Sequence, residues 1–174
     1  MPSLDALNAM PEGPQLHLLL GVCPSTVWAR RVLEAAPFRD HDALIRRADV
    51  VLAELSDSEI DVALTGHPRI GARPDNSSSA REQAEVAAAA DTVKAELARK
   101  NQEYEDNFGH VYLVCASGRS AEELLGVLAQ RLDNDPETER RVMRGELAAI
   151  NRLRLQRLLE EPGPDPGSTA GSNP

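Results

Sequence analysis

The chain has 174 residues, 41% of them hydrophobic, enough to bury a core in a single domain with a tail. A net charge of −9 leaves no overall basic balance for nonspecific nucleic-acid binding, and no stretch approaches the roughly 20 apolar residues of a membrane span. The two cysteines, Cys23 and Cys115, form no metal or redox spacing; with no leader-like N-terminus, a reduced, cytoplasmic setting is the expectation.

Taken in order, residues 1–14, with Pro2, Pro11, Gly13 and Pro14, suggest a loosely ordered arm. Pro24 and Ser25 open a helix through Trp28, Val32 and Leu33 that stops at Pro37. Asp40 caps a second, carrying Leu44, Ala48, Val51 and Leu55. Ser56 with Glu59 reads as a capping box for a short helix, with Gly66 as its C-cap. Ser79 with Glu82 repeats the pattern before a long helix reaching Asn101 or beyond. Residues 110–116 (HVYLVCA) have strand composition, yet a lone strand has nothing to pair with. They are expected as a buried extended stretch or a helix buried all round. Ser120 with Glu123 starts another helix, and Asp135-Pro136 starts the last. Pro, Gly and Ser then dominate from Pro162 to Pro174, predicting a disordered tail and a domain over 15–161.

His67 sits between Gly66 and Pro68, in a pose that proline restricts, and histidine is the side chain suited to proton transfer near neutrality. A surface-turn histidine would fit the same pattern. Glu82 satisfies backbone donors if it completes a capping box. It also heads a stripe with Val86, Ala89, Val93 and Leu97, which places it on an apolar face. Arg154 lies in the middle of the stripe Met143, Leu147, Ile150, Leu158. A guanidinium there needs an anion, supplied either by an internal salt bridge or by a bound ligand. Arg152 falls on the opposite side, and Arg157 at the edge, positioned to reach outward. Arg119 stands at a helix start, where an anion or solvent satisfies it equally. His17, His41 and His110 have no partners at metal spacing, and neither a nucleophile elbow nor a phosphate loop is present.

Several blocks in order resemble the OHCU decarboxylase family, whose substrate is 2-oxo-4-hydroxy-4-carboxy-5-ureidoimidazoline. They are His67-Pro68-Arg69-Ile70-Gly71, Ser79-x-x-Glu82-Gln83, Asn101-x-x-Tyr104-x-x-x-Phe108-Gly109, residues 114–120, Arg131-Leu132-x-Asn134-Asp135, and Ile150-x-x-Leu153-Arg154-Leu155. The likeness runs from about residue 16 to 160. This chain departs from it in the aromatic residues after Phe108-Gly109, in the alanines at 87–90, and in lacking a tryptophan near Val51.

The resemblance implies an all-α single compact domain of about seven to eight helices, working as a homodimer without metal or organic cofactor, on urate-derived ureidoimidazoline. It implies catalytic roles for His67 and Glu82, and substrate contacts at Pro68, Ser79, Gln83, Tyr112, Leu113, Val114, Cys115, Ala116 and Arg154. On this pattern His67 delivers a proton to the carbanion-like carbon. Glu82 orients the substrate hydroxyl and keeps the imidazole protonated, and Arg154 anchors ureido or carbonyl oxygens. The competing reading is a non-catalytic helical module binding allantoin-like ligands or a partner enzyme.

Overall fold

A computed structural model describes residues 3–72 and 77–160. Among them are ten helices and no strand: α1 (Leu4–Ala9), α2 (Glu12–Val22), α3 (Thr26–Leu33), α4 (His41–Glu54), α5 (Asp57–Leu64), α6 (Ser77–Glu82), α7 (Ala84–Ala87), α8 (Asp91–Phe108), α9 (Ala121–Arg131) and α10 (Pro136–Glu160). The all-α class is as expected, whereas the count exceeds seven to eight for two physical reasons.

First, most of the described part of the segment expected as a loose arm is helical. Ser3 caps α1, accepting from the Ala6 N–H at 3.2 Å, and Leu4 and Leu7 are buried in the core. Pro11 precedes α2 and Pro14 lies in its first turn, where a missing N–H costs no helical bond. The prolines mark a helix start here and not a loop.

Second, the long helix expected from Ser79 is broken. Ser79 lies inside α6 and so is no N-cap, Gln83 leaves helical geometry, and Ala90 is extended before α8 begins. The alanines between α6 and α8 bring almost no side chain to hold one rod against the core, so packing overrides their high helix propensity. Glu82, Val86 and Leu97 are nonetheless all buried. The expected tail, 162–174, lies outside the described residues.

Where the starting signals are local they are realised. Asp40 accepts from Ala43 N–H at 2.7 Å, Ser120 and Glu123 form a complete capping box, and Asp135 accepts from Thr138 N–H at 2.9 Å before α10. At α5 only half of the expected box forms. Ser56 accepts from Glu59 N–H at 3.3 Å, but the Glu59 carboxylate accepts from the Ser25 hydroxyl at 3.1 Å instead. Gly66 is not a left-handed C-cap: among the described residues the positive-φ glycines are Gly71, Gly109 and Gly118. Its role is close approach, since a Cβ there would stand 2.7 Å from Pro24 Cγ.

Two cores result. One gathers α1 to α5 and α10, with Trp28, Leu44, Ile60 and Leu147 fully buried. The other gathers α7, α8 and α9 with Ile70. The extended residues 110–116 run between them, and their alternation serves both: Tyr112, Val114 and Ala116 face the second core, Leu113 and Cys115 the first. In place of a neighbouring strand, side chains hold this strap. Arg131 donates to the Leu113 carbonyl at 2.6 Å, Glu146 accepts from Cys115 N–H at 2.8 Å, and the Tyr112 hydroxyl donates to the Leu124 carbonyl at 3.0 Å. Arg131 also pairs with the fully buried Glu139, which accepts from the Tyr104 hydroxyl and from Asn134. No helix among the described residues is long and apolar enough to cross a membrane.

Candidate active site

The loop after α5 places His67. Its backbone N–H donates to the Leu64 carbonyl at 3.0 Å, and the following residues are pinned at three points. Asn101 donates to the Ile70 carbonyl at 2.9 Å, Gln83 accepts from Gly71 N–H at 2.9 Å, and Arg69 pairs with Glu105. The imidazole therefore sits on a short, tied loop between the two cores. It is buried, and its Nε2 has no hydrogen-bond partner among the described residues.

His67 lines a cavity of about 20 Å³. Of the residues anticipated at the site, Pro68, Ser79, Glu82, Gln83, Tyr112, Leu113, Val114 and Ala116 join His67 in its wall, together with Ile70 and Ile150. Cys115 is not among them; its side chain packs against the first core. Arg154 stands behind Glu82. Its Nε and Nη2 donate to the two carboxylate oxygens at 2.8 and 3.0 Å, and its Nη1 donates to the Val22 carbonyl at 3.2 Å. Of the two anions considered for Arg154, the internal carboxylate is thus the one it holds in this structure. Both partners are buried, a bidentate pairing that satisfies two groups too costly to bury alone.

This pairing corrects the expected protonation of His67. Burial, then the positive charge of Arg154, pushes its pKa from 6.5 down to about 3. Glu82 is neutralised by Arg154 and does not keep the imidazole charged; at neutral pH His67 is a neutral imidazole. A stability consequence follows. Between pH 6.5 and about 3 the unfolded chain binds a proton here that the folded chain refuses, so stability is lost on acidification. The slope from this group is about 1.4 kcal/mol per pH unit. Urea unfolding of His67→Asn from pH 6.5 down to about pH 5 is expected to show a shallower acid loss than wild type, by that amount.

Arg157 corrects another expectation. It turns inward, its Nη2 donating to the Ser117 hydroxyl at 3.0 Å and its Nη1 lying 3.9 Å from Glu82. Arg131, Glu139 and Glu146, to which no role was assigned from sequence, fix the strap that forms one wall. Among the described residues, no three histidine, cysteine, aspartate or glutamate side chains are grouped so as to hold a metal ion.

The family model for OHCU decarboxylase matches residues 8–156, spanning the site and both cores. The chain belongs to the OHCU decarboxylase family. It is 30% identical over 147 residues to the uric acid degradation bifunctional protein TTL of Arabidopsis thaliana, covering 80% of this chain and 45% of that protein. It is 38% identical over 68 residues to the 2-oxo-4-hydroxy-4-carboxy-5-ureidoimidazoline decarboxylase of Amia calva, covering 39% of each. The chain thus spans less than half the length of these curated relatives. Among solved structures, an OHCU decarboxylase crystallised in the presence of (S)-allantoin superposes with a TM-score of 0.74 at 26% identity, covering 82% of this chain and 96% of that one. An (S)-allantoin synthase, at 16% identity, shares the fold with the same TM-score.

Proposed function

We propose that this chain decarboxylates 2-oxo-4-hydroxy-4-carboxy-5-ureidoimidazoline to (S)-allantoin in urate degradation, with His67 moving the proton. The observation that carries this reading is the convergence of His67, Glu82, Gln83 and the Tyr112–Ala116 strap on one cavity, in a chain matched by the family model from residue 8 to 156. The functional unit is a homodimer, on the family resemblance alone, and its cytoplasmic setting rests on cysteine usage.

The chemistry asks little of a cofactor. When the carbon–carboxyl bond breaks, CO2 leaves and the electron pair flows into the adjacent ring C=N, whose nitrogen takes a proton from water. The product at that stage is an enol. His67, neutral and buried, takes the enol proton and returns one to the ureido-bearing carbon from a single face, which sets the (S) configuration. The imidazole begins and ends neutral, so it accepts a proton before it donates one. Glu82 orients the hydroxyl, Arg154 anchors the substrate's oxygens, and backbone groups of the strap bond the urea-like edge.

The test is direct. With uricase and a hydroxyisourate hydrolase generating the intermediate in situ, the purified chain is expected to release one CO2 per allantoin formed, far ahead of the spontaneous decay. A decay rate unchanged by the chain would overturn the proposal.

A further inference from the structure

The cavity of about 20 Å³ that His67 shares with Glu82 and Gln83 holds roughly one water, so a ring carrying carboxyl and ureido groups does not fit between them. The open cavity of about 540 Å³ that His67 also borders is faced by the Glu105 and Asp106 carboxylates, which disfavour an anion. Another cavity shares the Glu82–Arg154 pair with the small one, Glu82 lining the small one and Arg154 this one. It has a volume of about 360 Å³, within the range of small-ligand pockets, and is bounded by α2, α6 and α10. His17, Arg81, Arg154 and Arg157 line this cleft, with Arg154 already held by Glu82. Arg154 lines the large cleft and Glu82 the small cavity, so their ion pair is the partition between the two.

An anionic substrate entering the cleft meets Arg154 already committed to Glu82. Turning Arg154 toward the substrate alone would strand a buried carboxylate, a cost of several kcal/mol. Arg157 is placed to prevent this. It lies one turn after Arg154 on the same helix, and its Nη1 is buried, without a hydrogen-bond partner, 3.9 Å from Glu82 Oε1. Its other end is held by Ser117, directly after the strap. The guanidinium is thus pre-aimed at the carboxylate and needs to close only about an ångström to bond it.

We propose that Arg157 is a positioning residue for the substrate. It takes over the Glu82 carboxylate as Arg154 leaves it for the anionic oxygens of the incoming ring, opening the partition between cleft and cavity. This inference rests on the decarboxylase reading above for the identity of the ring, but its mechanics are a carboxylate exchange among three named side chains.

The exchange has a signature that neither a structural role nor direct substrate contact shares. Arg157→Met is expected to raise KM about tenfold or more while kcat changes less than about threefold. Binding is measured separately by calorimetry with hydantoin-5-acetate, a ring bearing a carboxylate that undergoes no turnover. There Arg157→Met is expected to weaken affinity about tenfold in the wild-type background and less than twofold in Glu82→Gln, where no carboxylate needs a new partner. Equal losses in both backgrounds would make Arg157 a direct ligand of the probe, and no loss in either would make it structural; each overturns the exchange. If Glu82→Gln fails to fold, the single variant decides, since an unchanged probe affinity and KM contradict the proposal. Failure of the wild-type chain to decarboxylate would overturn the functional reading instead, and the two binding comparisons would still decide the exchange.

Discussion

Replacing His67 by asparagine is expected to lower kcat by roughly 10² to 10⁴-fold, the range of a positioned acid–base group, and to leave the fold intact. The fold should survive because the imidazole contributes no bond at Nε2; the loop is held through backbone and neighbours, namely the Leu64 carbonyl, Asn101 and Gln83. Asparagine retains polarity at the cavity but moves no proton near neutrality. Far-ultraviolet circular dichroism and urea titration at pH 7 check the fold, and coupled turnover checks the rate. A variant that folds and turns over like wild type would remove His67 from the chemistry.

The second large effect concerns Arg154. Arg154→Met leaves Glu82 buried without its bidentate partner, so a destabilisation of about 3 kcal/mol is expected, less whatever Arg157 recovers by closing on the carboxylate. Adding Glu82→Gln removes the stranded charge and should restore much of that stability, because replacing both members of a buried pair costs far less than removing one. It should not restore substrate affinity. Urea unfolding and KM measured on the single and double variants separate the two roles: stability returns in the double variant and KM stays high. If KM is unchanged in Arg154→Met, this arginine is structural alone.

What was legible in the sequence is what local chemistry decides. Asp40, Ser120 with Glu123, and Asp135-Pro136 each name a helix start, and each helix begins there, because the donor and acceptor lie within one turn. Ser79 with Glu82 has the same spelling and fails, because α6 starts earlier and the alanines after it do not hold one rod. Pro11 and Pro14 read as loop and instead open α2, proline being at home in both settings. The strand-like composition of 110–116 was visible, but not what would satisfy its backbone. That comes from Arg131 and Glu146, 18 and 31 residues away from the groups they bond.

The site divides in the same way. Stripe arguments placed Glu82 and Arg154 on inward faces, and both are buried. That they grip one another across 72 residues of sequence has no local signal. The pairing of Arg131 with Glu139 was not legible because each has a sufficient local reason to be where it is. An arginine in a last helical turn and a glutamate in a first turn complement the helix dipole, and nothing nearby hints that they meet in the core. The low pKa of His67 likewise follows from burial and Arg154, neither of which is a property of the HPxxG string.

The central claim is that His67 carries the proton in a one-handed decarboxylation. It is tested most directly by the initial rate at which optical activity of (S)-allantoin appears, with the ureidoimidazoline generated in the cuvette, for wild type and His67→Asn at equal folded concentration. Rapid growth of the signal is expected with wild type, and a rate at least about a hundredfold lower with the variant. Equal rates, or racemic product from wild type, would contradict it.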